Sequence, residues 1–123
     1  MILVMKKTLI LGASIKPERY AYKAAQKLLE NNHPIEMIGR RENVLFDRPI
    51  RKEKYPIDNL DTVTLYLSSK FQVEYYDYIL SLKPRRVIFN PGTENPELQA
   101  LLSENGIEYE NACTLVLLAT NSY

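Results

Sequence analysis

Apolar and polar positions along the chain follow two alternating rhythms. Residues 8–11 run Thr-Leu-Ile-Leu straight into Gly12, Ala13 and Ser14, as a buried parallel strand does where the backbone must turn sharply. From Tyr20 the period lengthens: Ala21, Ala24, Ala25, Leu28 and Leu29 recur at three- and four-residue steps and predict a helix over 20–32. Pro17 suits a first helical turn, which has no use for its missing N–H. Asn31-Asn32-His33-Pro34 is the stop signal. Further strand-like runs occupy 35–38, 62–67, 86–90 and, more weakly, 107–110. They end in Gly39-Arg40-Arg41, Ser68-Ser69-Lys70, Pro91-Gly92-Thr93 and Asn111-Ala112-Cys113-Thr114. Val73, Tyr76, Ile79 and Leu80 predict one shared face of a helix over 71–82, closed by Lys83-Pro84. Leu98, Leu101 and Leu102 form the stripe of another, with Asn95 as cap, Pro96 in the first turn and Gly106 at the end. The run 115–119 reads as a last short helix.

Residues 42–61 have no clean period and carry Pro49 and Pro56 among mixed charges. They read as a long surface connection in which either Pro49-Ile50 makes a short edge turn or the loop covers a ligand. Strands alternating with helices imply a parallel sheet with right-handed crossovers. The expectation is a three-layer αβα, Rossmann-like α/β domain over 1–123, with five strands in the order 3-2-1-4-5.

At 123 residues there is little room for a second lobe. A net charge of +1 argues against a general nucleic-acid or membrane-surface role, which rests on accumulated basic charge. No apolar run has the length of a membrane span, and residues 1–5 are too few for a signal-peptide core. One cysteine allows no internal disulfide and points to a reducing cytoplasm. One histidine and no Cys/His cluster leave no basis for a structural zinc site.

The chemistry lies at the strand ends. The turn at Gly12 opens a helix whose free N–H groups and dipole suit a phosphate or diphosphate. The glycine-rich dinucleotide fingerprint is incomplete, since only Gly12 is present, and the turn alone leaves an ordinary strand-to-helix junction equally open. Lys16 and Arg19 tilt the balance, because cations there complement an anion and oppose the helix dipole without one. Arg40 and Arg41 fall where an NAD site carries an acidic residue for the ribose 2′-hydroxyl. Two guanidiniums instead fit a phosphorylated ribose, as in coenzyme A or NADP. Asn90 and Thr93 share the rim of Gly12 and Ser68, where open α/β sheets bind ligands. His33 lies away from that rim, so Cys113 is the one nucleophile worth naming. It is read either as a buried, inert small hydrophobe or as a thiol able to form a mixed disulfide with CoA. No acid/base pair stands out, which favours binding over catalysis.

Taken together, Gly12-Ala13-Ser14 with Pro17-Glu18-Arg19-Tyr20, the segment 75–80, the run from Val87 through Asn90-Pro91-Gly92-Thr93-Glu94-Asn95, and Ala112-Cys113-Thr114 resemble the small bacterial CoA-binding proteins. These are stand-alone domains similar to the CoA-binding domain of the succinyl-CoA synthetase α-subunit. The resemblance implies a CoA diphosphate over residues 12–19 and a phosphorylated adenosine end near Arg40 and Arg41. It also implies a pantetheine arm passing Ser68 and Asn90-Pro91-Gly92-Thr93. The synthetase's catalytic histidine and partner subunit have no counterpart, so its ligase activity does not carry over. A carrier, sensor or accessory module for CoA or a short acyl-CoA is expected, as a homodimer or with an acyl-transfer partner. An enzyme using NADP or acyl-CoA is the alternative.

Overall fold

The computed structural model describes residues 4–123. Five parallel strands form the central sheet: β1 (Thr8–Ala13), β2 (Ile35–Gly39), β5 (Thr62–Leu65), β6 (Arg86–Phe89) and β7 (Glu108–Asn111), side by side as β2-β1-β5-β6-β7. A short antiparallel hairpin, β3 (Asn43–Leu45) with β4 (Arg48–Ile50), leads into Arg51, which bridges to Ile38 in parallel on the outer edge of β2. With that bridge counted in the third place, the order reads 3-2-1-4-5-6, the expected 3-2-1-4-5 pattern with one more strand at its far edge, and Thr62–Leu65 lies on the other side of β1.

Strand alternation sorts the core into two layers. Leu9, Leu11, Val63, Leu65, Val87 and Phe89 point to one face, against Ile79 of α3 (Tyr76–Leu82) and Leu98 and Leu102 of α4 (Pro96–Glu104). Ile10 and Met37 point to the other, against Ala21, Ala25 and Leu28 of α1 (Tyr20–Glu30) and Leu118 of α5 (Thr114–Ala119). Each fully buried large aliphatic contributes about 1.5–3 kcal/mol, which outweighs the poor strand propensity of Gly12 near the end of β1. Among the described residues no helix is long and apolar enough to cross a membrane.

Three local expectations need correction. Pro17 lies outside the first helical turn: it takes the second position of a β-turn closed by the Arg19 N–H on the Lys16 carbonyl, and α1 begins only at Tyr20. The fixed φ of proline suits that position as well as it suits a helix start.

The helix expected over 71–82 is broken into α2 (Ser69–Gln72), a 3-10 turn (Val73–Tyr75) and α3. Val73 is 55% exposed while Gln72 is fully buried, because the Gln72 amide is drawn inward by the carbonyls of Leu67 and Thr93.

Residues 42–61 are not a plain surface connection: of the two readings, the edge turn is the one found, with Pro49 and Ile50 in β4 of the hairpin. Phe46 and Asp47, both at positive φ, make the two-residue hairpin turn that right-twisted strands favour. Beyond Arg51, the Tyr78 hydroxyl donates to the Tyr55 carbonyl at 2.5 Å, and Ile57 and Leu60 are buried, so the segment is a fixed wall.

Candidate functional site

Because the five strands are parallel, their carboxyl ends share one rim, and the candidate residues after β1, β2, β5, β6 and β7 are gathered there. Gly12 has φ +102°, and a β-carbon on it would lie 3.0 Å from the Tyr66 carbonyl carbon. Gly39 matters equally and was not singled out from the sequence. A β-carbon there would sit 2.8 Å from the Ala13 carbonyl oxygen and 2.9 Å from Ile50 Cγ2. The β1 turn is therefore seated between the ends of β5 and β2 with no space for a side chain on either side.

Past this turn the chain stays open to solvent. The Ser14 hydroxyl accepts the Lys16 N–H at 3.1 Å, and Ile15, Lys16, Pro17, Glu18, Arg19 and Tyr20 are all exposed. Arg19 is the extended residue before α1 and gives it no side-chain cap. The first main-chain bond of the helix runs from the Lys23 N–H to the Arg19 carbonyl, so the amides of Tyr20, Ala21 and Tyr22 are the donors left open at the helix start.

Beyond β2, Gly39, Arg40, Lys52, Glu53, Lys54, Glu74 and Tyr75 line a cavity of about 480 Å³. The Arg40 guanidinium lies 5.9 Å from the Phe71 ring centre, and the Lys54 ammonium lies 5.2 Å from that of Tyr75. Lys54 also donates to the Glu74 carbonyl at 2.6 Å, which ties the wall to the 3-10 turn. Of the arginine pair only Arg40 lines the cavity; Arg41 is exposed outside it. Lys52 and Lys54 join Arg40 because the Arg51 bridge folds their segment back along β2.

Beneath the β5 and β6 ends runs a buried polar network. Asn90 Nδ2 donates to Thr64 Oγ1 at 2.7 Å and to the Leu65 carbonyl at 2.9 Å, while its Oδ1 accepts the Thr114 N–H at 2.9 Å. The Thr93 hydroxyl donates to the Asn90 carbonyl at 2.7 Å. Both side chains are thus engaged from below, and Pro91 and Gly92 form the exposed top of the turn. Gln72 Nε2 donates to the carbonyls of Leu67 and Thr93, both at 2.8 Å. Gln72 escaped sequence reading because a polar residue between Phe71 and Val73 carries no chemical signal of its own. Ser68 is the exposed residue preceding α2, and Cys113 is the half-buried residue preceding α5.

Burial pushes the Tyr66 phenol up to about 12, against hydrogen bonds with Thr114 and Thr64. His33 sits at the opposite edge of the sheet, where its Nδ1 accepts the Lys6 N–H at 2.9 Å and burial lowers its pKa. Among the described residues no three His, Cys, Asp or Glu side chains converge to hold a metal ion.

The sequence matches the model of the CoA binding domain over residues 6–119, nearly the whole chain. It belongs to that family. A crystal structure of an uncharacterized protein is 51% identical, with a TM-score of 0.95 over 98% of this chain and 99% of that one. A hypothetical protein from Pyrococcus horikoshii OT3 is 26% identical, with a TM-score of 0.83 over 91% of this chain and 80% of that one. At 21% identity, a structure from Thermus thermophilus gives a TM-score of 0.82 over 97% of this chain and 91% of that one, which speaks for the fold alone. No curated protein matches.

Proposed function

We propose that this CoA-binding domain holds coenzyme A or a short acyl-CoA along the carboxyl rim of its sheet, as a carrier, sensor or accessory module rather than an enzyme. The diphosphate lies over Gly12, Ala13 and Ser14 and the open start of α1, with Lys16 and Arg19 beside it. The phosphorylated adenosine end enters the cavity of Arg40, Lys52 and Lys54. The pantetheine arm passes Ser68 and Pro91-Gly92 towards Cys113.

The observation that carries this reading is the approach of Gly39 to Ala13, 2.8 Å from a β-carbon built on Gly39 to the Ala13 oxygen. It sets the turn after β1 beside Gly39, which itself lines the cavity beyond β2, so the two proposed halves of the ligand site are neighbours. A thermal-shift series with CoA, dephospho-CoA, NADP and NAD tests it, because a ligand that binds only the folded state raises the melting temperature. CoA is expected to stabilise most and dephospho-CoA distinctly less. A larger shift with NADP than with CoA overturns the CoA assignment and turns the reading towards an NADP-using enzyme.

A further inference from the structure

The turn after β6 offers a ligand very little. Asn90 and Thr93 point their polar atoms inward, and the Asn95 carboxamide is engaged by Leu98, Gln72 and Tyr76. On its exposed side the turn presents Pro91, which has no N–H, then Gly92 and Glu94. Gly92 is held at φ +91°, and nothing lies within 4 Å of a β-carbon built on it, so the space above this residue is open. Its N–H is the outward donor of the turn, and it is already taken: Glu94 Oε1 accepts it at 2.9 Å.

We propose that the Glu94 carboxylate is a built-in competitor at the Gly92 amide, displaced when a carbonyl oxygen of the ligand's pantetheine arm takes that N–H. The inference rests on the CoA reading and adds a residue that sets how tightly the arm, as opposed to the nucleotide, is held. A carboxylate is a stronger acceptor for an amide N–H than a neutral amide or thioester oxygen, so the arm docks only by giving up a charge-assisted bond for an ordinary one. Glu94 is exposed, and its removal leaves the buried network beneath the turn in place. The contact therefore weakens arm binding without holding the fold together.

The experiment compares wild type with Glu94→Ala by calorimetric titration of two probes: CoA, and 3′,5′-ADP, which keeps the nucleotide end and lacks the arm. The expected result is CoA binding about fivefold tighter in the variant, the factor that one net hydrogen bond represents, with 3′,5′-ADP unchanged. In the ligand-free variant the Gly92 amide resonance shifts as its acceptor is lost. Unchanged or weaker CoA binding in a variant with a wild-type circular dichroism spectrum overturns the role of Glu94 while the CoA reading stands. Wild type that binds neither probe overturns the CoA reading itself, and Glu94's role with it.

Discussion

Inside the rim the side-chain amides of Gln72 and Asn95 face each other, with Asn95 Nδ2 donating to Gln72 Oε1 at 2.9 Å. Gln72 in turn spans the Leu67 and Thr93 carbonyls, so a single buried carboxamide fixes the loop after β5 to the loop after β6. Gln72→Ala strands the buried Thr93 carbonyl and the part-buried Leu67 carbonyl, and a loss of about 3 kcal/mol is expected. Thermal melting reads this as a fall on the order of 10 °C. A fall of a degree or two indicates that solvent replaces the amide without cost.

The two glycines that seat the β1 turn, Gly12 and Gly39, differ from Gly106, which sits at positive φ just past α4. Gly39→Ala forces its β-carbon onto the Ala13 oxygen and Gly12→Ala onto the Tyr66 carbonyl, each at a cost of about 2 kcal/mol. Both are expected to weaken CoA binding, because the amides they displace are those proposed for the diphosphate. Gly106→Ala has strained φ but open space around it, and is expected to cost about 1 kcal/mol and leave binding alone. Equal binding losses in all three variants, measured by calorimetry, sink the local explanation.

Arg40 and Arg41 are adjacent in sequence and separated in role. Only Arg40 lines the cationic cavity, so Arg40→Ala is expected to weaken CoA binding about tenfold and Arg41→Ala by less than about twofold. Dephospho-CoA, which lacks the extra phosphate, responds to neither change. A larger effect at Arg41 moves the monoester out of the cavity.

His33 is the sole histidine, and its burial against Lys6 and Tyr123 lowers its pKa from 6.5. In the unfolded chain it takes up a proton near pH 6.5, whereas in the folded chain it does so only at lower pH. Folding stability is therefore full above about pH 6.5 and declines as pH falls from there towards the folded pKa. Urea unfolding at pH 7.5 and pH 5.5 is expected to show that decline in wild type and a smaller one in His33→Gln. A wild-type profile flat across this interval contradicts it. Asp61, held low by the Arg85 hydrogen bonds despite burial that acts to raise it, adds its own loss only below the ordinary carboxylate range.

The sheet and its rim were legible because β1, β2, β5 and β6 are short runs rich in aliphatic and β-branched residues that end in small or turn-forming ones, and position along such a strand fixes which rim a residue joins. The Asn95-Pro96 start of α4 was legible because capping chemistry is local. What the sequence hid depends on contacts distant along the chain. Gly39 is needed only because Ala13 comes beside it. Lys52 and Lys54 reach Arg40 only because Arg51 adds to the edge of β2. Asn90 and Thr93 read as ligand groups, and in the folded chain their polar atoms secure the rim from beneath.

The most direct test of the anion seat is the crystal structure of the complex with CoA. Density for the diphosphate is expected within hydrogen-bonding distance of the main-chain amides at the Gly12–Ser14 turn and the start of α1, with the ribose phosphate against Arg40. Density for it at the other edge of the sheet, beside Thr8 and Arg86, contradicts the account.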